Sequence, residues 1–252
     1  MTKRVALVTG AASGIGAEVC RQLAATGLEL VLLDVDSEHG ETLAGELGGH
    51  FIGCDVADRA AWFAAVNRCI ETVGVPHFAH LNAGVMSVSP REAFVRIEDL
   101  PEANYHRIVG VNLAGVVFGL QALLPHMRSR SGAICVTASL AGLVPLPFDP
   151  MYAATKHALV GLVRSVAAAG PGDQLRINAI CPGGVDTPII PDVLRSDEMA
   201  VMPVAVLAAE VVDLLERGDN GEIRLKRGAG VAAEAVPAPV FGGRASSGER
   251  RA

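Results

Sequence analysis

The sequence predicts an α/β fold, a doubly wound seven-stranded parallel sheet with helices on both faces. Three observations carry that prediction. Short aliphatic runs alternate with longer amphipathic stretches along the whole chain. A glycine-rich turn, Gly10-Ala-Ala-Ser-Gly14-Ile-Gly16, follows the first aliphatic run directly. Half of the 252 residues are apolar but only 4% are aromatic, which suits a sheet covered on both sides by small and branched side chains.

In chain order, strands are predicted near 4–9, 28–34, 50–55, 77–82, 132–138, 174–181 and 222–227, and helices near 14–26, 38–47, 58–73, 99–127, 151–169 and 204–217. The strands are runs rich in Val, Ile and Leu. The helices carry apolar residues three and four apart. Strand–helix–strand units close right-handed and put ligands beyond the carboxyl ends of the strands. One domain is expected over 1–231, with no linker or short repeat inside it. Residues 232–252, rich in Ala, Pro, Gly, Ser and Arg, are expected to form a mobile tail, with 236–241 a candidate to dock on a neighbour.

The first strand, turn and helix together form a Rossmann-type dinucleotide fingerprint. Backbone N–H groups around Gly10, Ser13, Gly14, Ile15 and Gly16, with the helix N-terminus, would receive a pyrophosphate. Asp34 ends the second strand. A carboxylate there accepts both adenosine ribose hydroxyls and repels a 2′-phosphate. Val35 follows it and Ser13 occupies the turn, so no compensating base is near. NAD is therefore expected over NADP.

The proton-transfer chemistry lies further along. Tyr152-Ala-Ala-Thr-Lys156 begins a helical stretch, and a four-residue step puts phenol and ammonium on one face. A free tyrosine titrates near ~10, too high for a base at neutral pH, and a nearby cation lowers that value. Ser139 closes the strand before it and can place a hydroxyl opposite the phenol.

These pieces, in this order, resemble the short-chain dehydrogenase/reductase family over roughly residues 3–228. The resemblance rests on Thr9-Gly10-x-x-x-Gly14-x-Gly16, Asp55-Val56, Asn82-Ala83-Gly84, Asn112, Ser139, Tyr152, Lys156 and Pro182-Gly183-Gly184-Val185-x-Thr187. It implies an enzyme in which Tyr152 is the general acid/base, Ser139 orients the substrate oxygen and Lys156 binds the nicotinamide ribose. Asn112 would distort its helix and anchor a water leading to Lys156. Asp55 and Val56 would meet the adenine, and Asn82, Ala83 and Gly84 a ribose. Pro182, Gly183, Val185 and Thr187 would hold the carboxamide.

Within the family, Ser139-Leu-Ala-Gly-Leu-Val-Pro and Asn220-Gly-Glu-Ile-Arg-Leu-Lys are most similar to the hydroxyprostaglandin dehydrogenases. Two departures stand out. Leu81 replaces an asparagine that many relatives have, and Asp149 replaces an amide of the prostaglandin enzymes, placing an acid near the substrate oxygen. The family also implies a homodimer through the fourth and fifth helices. The divergent C-terminal ending weakens the case for a tetramer.

The remaining features narrow the partners. A net charge of −6 gives no electrostatic support for nucleic acid or an anionic membrane. No run approaches eighteen apolar residues, and the start of the chain enters a strand too early for a secretory signal. Five cysteines without metal-type pairing fit a reducing cytoplasm. Among seven histidines only His77 and His80 are worth weighing as a zinc pair, and no metal site is expected. Met86, Met151, Met199, Met202, Val144, Leu146, Phe148, Ile189 and Ile190 cluster on segments expected to border the substrate, with 187–204 as a lid. Their character points to a small hydrophobic alcohol or ketone. Two other readings stay open: a biosynthetic ketoreductase working reductively, with NADPH, and a non-catalytic dinucleotide sensor. The presence of both Tyr152 and Lys156 argues against the sensor.

Overall fold

The computed structural model describes residues 4–170, 174–191 and 201–239. Met199, most of the expected lid and the far end of the expected tail lie outside the described residues. The strands are β1 (Val5–Thr9), β2 (Glu29–Asp34), β3 (His50–Gly53), β4 (Phe78–Leu81), β5 (Gly132–Thr137), β6 (Leu175–Pro182), β7 (Ile223–Lys226) and β8 (Glu234–Ala235). Between them run α1 (Gly14–Ala25), α2 (Ser37–Leu47), α3 (Arg59–Thr72), α4 (Glu102–Val109), α5 (Gly115–Met127), α6 (Pro150–Ala169) and α7 (Val204–Arg217).

The sheet order is β3-β2-β1-β4-β5-β6-β7-β8. The first seven strands are parallel, so Thr9, Asp34, Leu81, Thr137 and Pro182 all end at one rim. The order reverses between β1 and β4, which opens the crevice where such sheets bind ligands. Alternate strand residues point to opposite faces, and each face is covered. Trp62, Leu123, Leu159 and Val163 fill one layer, from α3, α5 and α6. Val19, Leu23, Val211 and Leu214 fill the other, from α1 and α7.

Two features differ from the sequence reading. The sheet has eight strands, because Glu234–Ala235 pairs antiparallel with β7. The Val236 amide donates to the Ile223 carbonyl at 2.7 Å, and Arg164 donates to the Val236 and Pro237 carbonyls at 3.1 Å each. A two-residue strand just before Pro237 has no periodicity to detect. The stretch read as one helix over 99–127 is also divided. It starts at Glu102, after Pro101, and a π-helical turn, Gly110–Ala114, separates α4 from α5.

By length and composition alone, Glu102–Met127 could cross a membrane. Here Val116, Leu120, Leu123 and Met127 pack into the core beneath the sheet.

Candidate active site

The strand ends and the helices that follow them surround a single cavity of about 650 Å³. At one end, the turn between β1 and α1 brings the amides before the first helical turn toward the cleft. Gly14 has φ +52°, and a Cβ there would lie 3.2 Å from Thr187 Cγ2. Gly10, Ser13, Gly14 and Ile15 line the cavity. Gly16 does not. A Cβ on Gly16 would lie 2.1 Å from the Gly10 carbonyl oxygen and 2.9 Å from Asn82 Nδ2, so it serves the close approach of α1 to the neighbouring strand end.

Asp34 is fixed at the end of β2. Its Oδ2 accepts from the Ala12 amide at 2.9 Å and its Oδ1 from the Asp36 amide at 3.0 Å. Val35, Asp55 and Val56 line the cavity beside it. One Asp55 oxygen, Oδ1, is taken by the Ala57 amide at 2.9 Å.

Further in, Asn82, Ala83 and Gly84 form the floor. They are held by a buried polar chain. His80 Nε2 lies 2.8 Å from Thr137 Oγ1, and that hydroxyl donates to Asn82 Oδ1 at 3.1 Å. Asn82 Nδ2 then donates to the Thr9 carbonyl at 3.2 Å. Because Thr137 has one proton and gives it to Asn82, His80 Nε2 must carry the other. Burial pushes the His80 pKa down to about 3, so the ring is neutral. His77 accepts from the Val5 amide at 3.2 Å. The two rings thus have separate partners.

The proton-transfer group is assembled from three elements. The Ser139 hydroxyl, just beyond β5, hydrogen-bonds the Tyr152 oxygen and accepts from the Ala141 amide at 3.1 Å. Lys156 is buried one turn along α6. Its Nζ donates to the Thr137 carbonyl at 2.8 Å and lies 5.5 Å from the Tyr152 ring centroid. Gly84 lies beside it: a Cβ there would be 3.4 Å from Lys156 Nζ and 3.5 Å from Asn112 Oδ1.

The expected lowering of the phenol by Lys156 is not what the protein's own groups produce. Burial pushes the Tyr152 pKa up to about 12; the Ser139 hydrogen bond opposes this and the Asp149 carboxylate adds to it. Burial pulls Lys156 down to about 8.

Asn112 sits behind the cavity wall at the π-helical turn. Its Oδ1 accepts from the Val85 amide at 2.8 Å. Its Nδ2 donates to the Val85 carbonyl at 2.8 Å and to Thr155 Oγ1 at 3.2 Å. Asp149 is not the substrate-facing acid anticipated from the sequence: it is 1% exposed and caps α6.

The far wall of the cavity is apolar. Met86, Val144, Leu146, Phe148, Ile189 and Ile190 line it as anticipated, and Pro182, Gly183, Val185 and Thr187 close the roof. Met151 does not line the cavity. Met202 bridges Val185 in parallel fashion and packs into the core with α1 and α7, so it is no wall residue either. Sequence reasoning missed Val85, Arg107, Val111 and Thr137 in the lining. Val85 follows directly on the Asn82–Gly84 motif, which could have marked it; nothing local marks the other three, which reach the cavity through packing of α4, the π-helical turn and β5. Phe94, also missed, lies against Phe148 with ring centroids 4.9 Å apart.

Comparison with known proteins agrees with this geometry. The family model for short chain dehydrogenases matches residues 4–198, and the chain belongs to that family. It is accordingly an oxidoreductase acting on CH–OH groups. The oxidoreductase UcpA of Salmonella typhimurium is 35% identical over 233 residues, 87% of this chain and 86% of that protein. A 3-alpha-(or 20-beta)-hydroxysteroid dehydrogenase of Mycobacterium tuberculosis is 36% identical over 190 residues, 74% of this chain and 70% of its own. The structure of a 3-ketoacyl-(acyl-carrier-protein) reductase from Brucella melitensis, complexed with NADH, superimposes with a TM-score of 0.81 at 26% identity, covering 91% of this chain and 99% of the other.

Proposed function

We propose that this protein is an NAD-dependent oxidoreductase that interconverts a hydrophobic secondary alcohol and its ketone. The observation that carries the reading is the continuity of the cavity, which runs from the anionic end at Asp34, past Tyr152, to the apolar wall of Val144, Leu146, Phe148, Ile189 and Ile190. The glycine turn fits a dinucleotide: Gly10 and Gly14, at φ +60° and +52°, hold a backbone conformation that side chains disfavour, and both face the cavity. Bound there, NAD accepts the hydride in oxidation and NADH donates it in reduction. The NADH-bound Brucella reductase supports that choice, as does a lining in which, among the described residues, the Lys and Arg are Arg107 and Lys156, beside the catalytic and apolar parts of the wall.

The chain's own residues do the rest. Gly10, Ser13, Gly14 and Ile15 hold the pyrophosphate, with Gly16 keeping α1 close. Asp34 and Val35 hold the adenosine ribose, Asp55 and Val56 the adenine. Asn82, Ala83, Gly84 and Lys156 hold the second ribose, and Pro182, Gly183, Val185 and Thr187 the carboxamide. In oxidation Tyr152, as phenolate, takes the hydroxyl proton while Ser139 donates to the substrate oxygen. Asn112 holds the π-helical turn behind Lys156. An apolar groove between α5 and α6, with Val117, Leu124, Pro125, Leu162 and Val166, supports a homodimer through these helices. A sedimenting mass of one chain would remove that part of the proposal.

One observation favours the reductive direction. A phenol pushed up to about 12 keeps its proton at neutral pH, ready to donate to a carbonyl. Asp34 argues that such a reductase uses NADH rather than NADPH.

The test is a series from 2-butanol to 2-decanol with NAD, and the matching ketones with NADH, followed by nicotinamide absorbance. Burying each methylene is worth ~0.8 kcal/mol, so kcat/KM should rise roughly fourfold per carbon until the wall is filled. A flat response, or preference for a polyol or an acid, would show that the apolar wall does not select the substrate.

A further inference from the structure

The loop leaving β4, residues 82–88, supplies the wall from Asn82 to Met86, and side chains hold its backbone. Asn112 bonds both the amide and the carbonyl of Val85. Arg107 donates to the Met86 carbonyl at 3.0 Å, and Asn104 to the Ser87 carbonyl at 2.8 Å. These three side chains come from α4 and the π-helical turn. The fourth is Asp149, at the start of α6. Its Oδ2 accepts from the Ser87 amide at 2.9 Å and its Oδ1 from the Tyr152 amide at 3.0 Å. Among the four, Asp149 alone bonds both the loop and the backbone of Tyr152.

A carboxylate is an expensive choice here. It is almost fully buried, and a buried charge is unfavourable unless its oxygens are satisfied. A serine would cap the helix as well. What a carboxylate adds is two acceptor atoms about 2 Å apart, each serving a different backbone segment. An amide has only one. We infer that Asp149 is a positioning residue, whose two oxygens lock the loop bearing on the substrate to the residue that carries the proton-transfer phenol. The inference rests on the role given to Tyr152 above.

The same carboxylate bears on the phenol's charge. Around Tyr152 stand Ser139 from the end of β5, Lys156 from its own helix and Asp149 at the cap; Arg107 of α4 lines the same cavity, and Cys181 of β6 lies beside Lys156. Asp149 opposes ionisation of the phenol. Removing it therefore moves the pH profile in a direction that a loss of mere stability does not.

The experiment compares Asp149→Asn, Asp149→Ser and Tyr152→Phe in the full chain, with NADH binding as the check on folding. The serine variant keeps a cap but cannot reach Ser87. Both Asp149 variants should bind NADH normally, lose kcat about tenfold and raise KM, because misplacement by a fraction of an ångström is costly at a reacting centre. The acidic limb of oxidation should shift about half a pH unit lower in both, from loss of a neighbouring like charge. Wild-type kcat and an unmoved limb in either variant would overturn the inference, and so would failure of both to fold, which would make Asp149 a purely structural residue. If Tyr152→Phe turns over normally, the reading of the base fails and the inference falls with it. If Tyr152→Phe is inactive while Asp149→Asn behaves as wild type, only the inference fails.

Discussion

Replacing Asp34 by alanine removes the charge on which the cofactor assignment depends, and the structure allows the effect to be sized. The carboxylate is tied to the Ala12 and Asp36 amides at 2.9 and 3.0 Å, so it cannot swing away from a 2′-phosphate without giving up both bonds. Two unit charges about 4 Å apart repel by ~4 kcal/mol at an effective dielectric near 20, roughly a thousandfold in affinity. Asp34 is partly exposed and Val35 beside it is 69% exposed. Salt then reduces the effect, leaving an expected preference for NAD over NADP of ~100-fold or more in kcat/KM. Steady-state kinetics with one alcohol and both cofactors, at two ionic strengths, measures it directly. Asp34→Ala should bring the ratio to within ~10-fold, and Asp34→Asn, which keeps one acceptor oxygen for the turn, should do the same through charge alone. Equal use of both cofactors by the unmodified protein would refute the reasoning. So would a ratio that neither variant changes.

Tyr152→Phe keeps the ring and removes the exchangeable proton, so turnover should fall ~10²-fold or more while NADH still binds, as read by fluorescence titration. Lys156→Ala should lower both turnover and NADH affinity, because one side chain serves both; an unchanged dissociation constant would separate the two roles. His80 predicts a pH dependence of stability. Its folded pKa is pushed down to about 3 by burial, against ~6.5 in an unfolded chain. The ring is neutral in the fold, so its contribution is fully present above pH ~6.5. It is lost as pH falls toward the folded value, at up to ~1.4 kcal/mol per unit. Melting temperatures from pH 7 to 4.5 should fall less steeply in His80→Leu than in wild type; parallel curves would reject this.

The parts of this protein legible in its sequence are those whose cause lies within a turn or two of the chain. The strand–glycine turn–helix at residues 4–25, Asp34 at a strand end, and Tyr152 and Lys156 one helical turn apart follow from local periodicity and spacing, and the cavity contains them. The alternation of strands and helices likewise implies the parallel sheet, since right-handed crossovers leave few arrangements open. What tertiary structure decided depends on partners far apart in sequence. The π-helical turn exists where Asn112 bonds Val85, 27 residues away. Asp149 turns inward because Ser87, 62 residues earlier, offers it an amide. Met202 is core and not wall because it bridges Val185. β8 forms because Arg164 and the open edge of β7 receive a segment too short to show a pattern. The phenol is held above its ordinary value for the same kind of reason: desolvation is a property of the assembled cavity, and it outweighs the Ser139 hydrogen bond that opposes it.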